Sequence, residues 1–190
     1  RRVELLDGGE QAGHFRLNNH AANLRQLIES VVEMLAPLAH AKHVEIAATV
    51  AADLPDLLDF DAARLRQVLF NVIGNAVKFT SEGGVLVCAH AEAGDVLIEV
   101  SDTGPGMTVE AQQRIFREFE QAGGAGERSG GTGLGFAISL RILLEFGGSL
   151  SVMSEPDQGS TFAIRFPMRA AEDAPAGAEE RKRLLQRNSV

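Results

Sequence analysis

Apolar residues at Leu24, Leu27, Ile28, Val31, Val32, Leu35 and Leu38 recur at three- and four-residue intervals, which predicts an amphipathic helix over residues 23 to about 40. Pro37 should bend or end it. Residues 44–50 and 57–60 read as short strands separated by the turn Asp53-Leu54-Pro55. A second helix is expected from Asp61, a side chain suited to N-capping, to about Phe79. Gly83-Gly84 then opens a hairpin of strands 85–91 and 96–101, joined through Ala93-Gly94-Asp95. A short helix follows from Thr108 or the next residue to Phe116. Between Phe119 and Thr132 the glycines at 123, 124, 126, 130 and 131 cannot hold a rigid element, so this stretch reads as a mobile lid. Helical spacing returns over residues 134–146 and stops at Gly147-Gly148, and strands 149–154 and 160–166 close the pattern as a hairpin around Pro156-Asp157-Gln158-Gly159. The expected fold class is α/β: a two-layer α/β sandwich whose mixed, mostly antiparallel sheet is covered on one face by helices.

Composition narrows the function. The 190 residues include 45% hydrophobic and 23% charged positions, the balance of one globular domain with short extensions. With ten Phe but no Trp or Tyr, there is little to stack on single-stranded bases, and a formal charge of -8 repels polyphosphate and anionic membranes. Nucleic acid and membrane surfaces are therefore set aside as partners, while a small anion bound at a local patch is not. Cys88 is the only cysteine, which excludes an internal disulfide or a cysteine zinc cluster and points to a reducing compartment. No run of about 20 apolar residues is present.

Three segments carry candidate chemistry. In the second helix Asn71, Asn75 and Lys78 fall at i, i+4 and i+7, so one polar stripe interrupts an apolar segment. Amide oxygens suit a hard divalent cation and an ammonium suits phosphate. An exposed polar edge would give the same pattern. Next, Asp102 ends a strand and is followed by Gly104 and Gly106; a carboxylate can accept from an exocyclic amine while glycines let backbone approach a flat ligand. An ordinary Asp-initiated turn is the alternative. Finally, Gly130-Gly131-Thr132-Gly133-Leu134-Gly135 opens a helix, where free backbone N–H groups can cradle phosphate. It belongs to no βαβ unit, and no Gly-Lys-Ser/Thr of a P-loop follows.

In this order and spacing the three segments resemble the N, G1 and G2 boxes of the sensor histidine kinase ATP-binding domain. Residues 115–121, Ile-Phe-Arg-Glu-Phe-Glu-Gln, resemble its F box, and Gly147-Gly148-Ser149 through Gly159-Ser160-Thr161-Phe162 its closing hairpin. The similarity spans about Leu17 to Pro167. It implies the Bergerat fold with a flexible ATP lid, and ATP and Mg²⁺ as ligands. Carried over, Asp102 receives the adenine amine, and Gly104 and Gly106 shape its pocket. Asn71 and Asn75 coordinate Mg²⁺, Lys78 meets the phosphates, and Gly131, Gly133 and Gly135 cradle them. Phe116, Phe119, Thr132 and Leu134 complete the nucleotide site, and Arg128 in the lid contacts the γ-phosphate. ATP-hydrolysing relatives carry Glu where this chain has Asn71, and an amide cannot take a proton from water. The resemblance therefore implies phosphoryl transfer to a histidine on another domain, then to a response-regulator aspartate. The alternatives are a hydrolytic relative, or a degenerate nucleotide-binding or protein-interaction module.

The departure is the phosphoacceptor. The family's histidine precedes an acidic residue, whereas His14, His20, His40, His43 and His90 precede Phe15, Ala21, Ala41, Val44 and Ala91. The expected organisation is thus the end of the dimerisation hairpin and a linker at 1–16, the catalytic domain at 17–168, and a linker or tail at 169–190. The expected partners are the histidine-bearing dimerisation domain of the same parent and a response-regulator receiver domain. The fragment would be a cytoplasmic monomer that does not autophosphorylate. The parent would be a homodimer, soluble or anchored in the inner membrane.

Overall fold

The computed structural model describes residues 3–4, 16–113, 115 and 134–171. The elements, in chain order, are β1 (Val3–Glu4), β2 (His20–Ala22), α1 (Leu24–Ala41), β3 (Glu45–Val50), β4 (Leu58–Phe60), α2 (Ala62–Phe79), β5 (Gly84–Glu92), β6 (Asp95–Asp102), α3 (Leu134–Glu145), β7 (Ser149–Ser154) and β8 (Ser160–Pro167). Residues 109–113 form a helical turn after β6. The predicted lid lies outside the described residues, as do most of the 1–16 segment and residues 172–190.

Six strands form the main sheet in the order β1-β7-β8-β6-β5-β3, and β2 pairs with β4 in a separate two-stranded sheet. Only β3 and β5 pair in parallel; the other main-sheet neighbours are antiparallel. Register puts Val85, Val87 and Ala89 of β5 beside Val100 and Ile98 of β6, then Phe162 and Ile164 of β8, on one face. These residues are buried under the helices with Val72, Ile73, Leu143 and Leu150, all 0% exposed. The opposite face carries exposed Leu86 and Met153. The two-layer sandwich expected from the alternation is therefore present.

Local chemistry explains most of the boundaries. Asn23 caps α1 by accepting from Gln26 N–H, and Asp61 caps α2 by accepting from Arg64 N–H. Asp61 Oδ2 also accepts from Asn18 N–H at 2.9 Å, tying the entering chain to the start of α2. Pro37 neither ends nor replaces α1, which continues to Ala41; it sits on the exposed side of the helix, where the lost N–H bond leaves no buried group unpaired. The first hairpin turn is shorter than expected. Ala93 and Gly94 have φ of +52° and +90°, a two-residue connection, so β6 starts at Asp95. α3 ends in paired bonds from Gly147 N–H to Leu144 O and Gly148 N–H to Leu143 O, with Gly147 at φ +73°. β2 has no signal in the sequence, because His20-Ala21-Ala22 carries no strand pattern; it forms through its pairing with β4.

Helices α1 and α2 lie side by side and run in the same direction. Arg66 donates to Ser30 Oγ at 2.8 Å near their beginnings, and Lys42 Nζ reaches the carbonyls of Val77 at 2.8 Å and Lys78 at 2.6 Å at their ends. The last carbonyls of a helix lack intrahelical partners and carry partial negative charge, so an ammonium there satisfies and stabilises them. This contact fixes the turn of α2 from which Asn75 and Lys78 project.

Candidate functional site

The site forms where the C-terminal half of α2, the end of β6, the first turn of α3 and the β7–β8 turn meet. Asn71 is half-buried and points at α3: its Nδ2 donates to Gly135 O at 3.0 Å and to Ser139 Oγ at 3.1 Å. Asn75 lies one turn later, half-buried, with no side-chain hydrogen bond among the described residues. Lys78 is exposed, its Nζ 5.2 Å from the centroid of the Phe79 ring. The polar stripe expected from the i, i+4, i+7 spacing therefore faces the start of α3 at one end and solvent at the other.

Asp102 is held at the edge of the helix layer by backbone donors. Gly104 N–H donates to its Oδ1 at 2.8 Å, and Ser160 N–H also bonds its carboxylate. Burial nevertheless pushes the carboxyl above its ordinary pKa, with the two N–H bonds pulling it back. The glycines around it are required by contact. A Cβ on Gly104 would lie 2.8 Å from Asp102 Oδ1 and 3.4 Å from Phe79 O. Gly106 has φ +64°, and a Cβ there would lie 1.9 Å from Glu155 O. Gly159, at φ +79°, would set a Cβ 1.9 Å from Asp102 O. The loop after β6 is thus clamped between the end of α2 and the β7–β8 turn.

Asn71 and Gly135 are brought into direct contact, and Asp102, Gly104 and Gly106 share one loop beside the end of α2. Leu134 opens α3. Phe116, Phe119, Arg128, Gly131, Thr132 and Gly133 lie outside the described residues. Four further residues shape the site and were not singled out from the sequence. Thr80, 0% exposed, caps α2 through its N–H and Oγ1 to Ala76 O and sits against Gly104. Ser160 is buried beside Asp102. Ser139 is buried in α3, and Gln112 donates to Met107 O at 3.0 Å and Ser154 O at 2.7 Å, joining the glycine loop to β7. Lone polar residues inside otherwise apolar helix faces are the signal that could have found Ser139 and Gln112.

The donor set suits a hard cation on chemical grounds. The nitrogen of the Asn71 amide is spent on two acceptors, which leaves Oδ1 as its available atom, and Asn75 adds a second uncommitted amide. No cluster of three His, Cys, Asp or Glu residues able to hold a metal occurs among the described residues. No helix among them is long and apolar enough to cross a membrane.

Residues 60–170 match the family model described as histidine kinase-, DNA gyrase B- and HSP90-like ATPase. The chain is 40% identical over 178 residues to sensor protein GacS of Pseudomonas syringae pv. syringae, covering 90% of this chain and 20% of that protein. It is 39% identical over 177 residues to the sensory/regulatory protein RpfC of Xanthomonas campestris pv. campestris, covering 89% and 24%. The chain thus spans about a fifth to a quarter of the length of these relatives. Among solved structures, full-length ShkA in complex with AMPPNP superimposes with a TM-score of 0.74 at 41% identity, over 84% of this chain and 33% of that one. The catalytic domain of histidine kinase ThkA gives 0.66 at 25% identity, over 79% and 95%. The chain belongs to the histidine kinase-, DNA gyrase B- and HSP90-like ATPase family, and within it is an ATP-binding catalytic domain of the sensor histidine kinase type.

Proposed function

We propose that this chain holds ATP with Mg²⁺ and delivers the γ-phosphoryl group to a histidine on a dimerisation domain outside it, for relay to a response-regulator aspartate. The observation that carries this reading is the amide at Asn71. Its Nδ2 donates to Gly135 O and Ser139 Oγ, and the side chain that meets the start of α3 has no proton-accepting carboxylate with which to activate water. The AMPPNP bound to ShkA, a 41% identical relative, supports ATP as the ligand.

In this reading Asp102 accepts from the adenine amine, and Gly104 and Gly106 leave the ring room to approach. The amide oxygens of Asn71 and Asn75 hold Mg²⁺, Lys78 meets the phosphates, and the N–H groups of Gly131, Gly133 and Gly135 line them. Phe116, Phe119, Thr132 and Leu134 contribute to nucleotide binding, and Arg128 contacts the γ-phosphate. When bound, Mg²⁺ neutralises phosphate charge and lowers the barrier to in-line displacement. The chain's own residues position the nucleotide, because phosphoryl transfer depends mainly on alignment and charge.

The test is a mixture of this chain, γ-labelled ATP and the parent's histidine-bearing helical hairpin. Acid-labile label should appear on the hairpin and none on the chain alone. Steady phosphate release by the chain alone, abolished in Asn71→Ala, would instead establish a hydrolytic ATPase.

A further inference from the structure

The orientation of Asn71 is set from a different helix. A neutral amide has one acceptor oxygen and two donor hydrogens, and nothing in its shape distinguishes its two ends. At this position the surroundings do. Gly135 O can only accept, and it lies 3.0 Å from Asn71 Nδ2. Ser139 Oγ lies 3.1 Å from the same nitrogen and 2.9 Å from Gly135 O, to which it donates. A hydroxyl has a single proton. With that proton directed to Gly135 O, Ser139 turns a lone pair to Asn71. Turning the amide over would place Oδ1 against Gly135 O, which cannot donate, and would make the Ser139 hydroxyl give up its bond to Gly135 O to meet it, so the triangle of bonds as formed holds the amide in one orientation. Oδ1 is the atom left over, and it lies beside the first turn of α3, where a Cβ on Gly135 would come within 3.5 Å of it.

Ser139 has no other evident reason to be polar. It is 0% exposed, and its helix neighbours at i−3, i+3 and i+4 are Phe136, Ile142 and Leu143; an unpaired hydroxyl at a buried position is costly and alanine would favour the helix. Both of its bonds are made to the Asn71–Gly135 pair. We infer that Ser139 is a positioning residue for metal-nucleotide binding: it fixes the Asn71 amide so that Oδ1, rather than Nδ2, is presented to the cation and phosphates. This rests on the proposed role of Asn71 as a cation ligand.

The experiment measures AMPPNP affinity in Mg²⁺ and in EDTA for the wild-type chain, Ser139→Ala, Asn71→Ala and the double variant. The wild type should bind more tightly with Mg²⁺. In Ser139→Ala that Mg²⁺-dependent gain should fall about three- to tenfold, the effect of about one lost hydrogen bond, while affinity in EDTA stays the same. In the Asn71→Ala background Ser139→Ala should have no further effect, since it acts through that side chain. Ser139→Cys, near in volume and a weaker acceptor, should fall between wild type and Ser139→Ala. An undiminished gain in Ser139→Ala overturns the inference, as does an equal loss with and without Mg²⁺ or an equal loss in both backgrounds. A wild type whose AMPPNP affinity ignores Mg²⁺ overturns the cation-ligand role of Asn71 itself, and this inference with it.

Discussion

Gly159 and Gly94 offer a comparison that separates backbone strain from steric contact at the Asp102 loop. Both adopt a left-handed conformation, at φ +79° and +90°. An alanine at Gly94 would meet nothing within 4 Å, so it pays only the conformational cost of a side chain at positive φ, about 1–2 kcal/mol. An alanine at Gly159 pays the same cost and also drives its Cβ to 1.9 Å from Asp102 O and 2.9 Å from Asp102 C. Those are backbone atoms of β6 that cannot rotate aside, so the clash must be relieved by shifting the strand end or the β7–β8 turn. Overpacking of this kind adds about 1–3 kcal/mol, for a total of roughly 2–5 kcal/mol. Urea unfolding of both variants reads the energies, and titration with AMPPNP reads the site. Gly94→Ala should lose stability modestly and keep its nucleotide affinity, because that turn lies at the far end of β6. Gly159→Ala should lose more stability and also bind nucleotide more weakly, because the strand end that moves carries Asp102. Equal destabilisation by the two, or unchanged affinity in Gly159→Ala, would refute the claim that the β7–β8 turn holds the Asp102 loop in place.

The buried carboxyl at Asp102 gives a pH prediction. Its folded-state pKa is raised, so the folded state holds the proton more tightly than the unfolded chain and the ligand-free protein loses stability as pH rises through that value. Asp102→Asn removes this dependence: relative to wild type its stability should improve as pH rises above the ordinary carboxylate range, followed by thermal melting, while its nucleotide affinity falls; a difference that does not change with pH would contradict the burial argument. Lys42→Met deletes the ammonium over the Val77 and Lys78 carbonyls. It should destabilise the chain by about 1 kcal/mol, with faster amide exchange in the last turn of α2, and Lys42→Arg should restore much of the loss; an unchanged exchange rate would show that the contact does not hold that turn.

The hydrophobic spacing made α1, α2 and α3 legible, because each buries a continuous apolar stripe, and the paired strands of both hairpins followed from their alternation and glycine turns. The polar stripe of α2 could be placed on one face from spacing alone. What it touches could not, since Asn71 meets Gly135 and Ser139 across a separation of more than 60 residues. β2 was invisible for a related reason: three residues without a strand pattern become a strand only because β4 lies beside them. The continuation of α1 through Pro37 depended on which side of the helix faces solvent. Thr80 and Ser160 read as ordinary turn and strand residues until packing places them against Gly104 and Asp102.

Nucleotide recognition at Asp102 is the most direct test of the site as a whole. Calorimetric titration with ADP and AMPPNP, each with and without Mg²⁺, should show saturable binding by the wild-type chain. Asp102→Ala, which deletes a partly buried charged acceptor, should cost about 1.5–3 kcal/mol, or roughly ten- to a hundredfold in affinity. Affinity in Asp102→Ala equal to that of the wild type would contradict the assignment of the adenine pocket and, with it, the account of how this chain holds ATP.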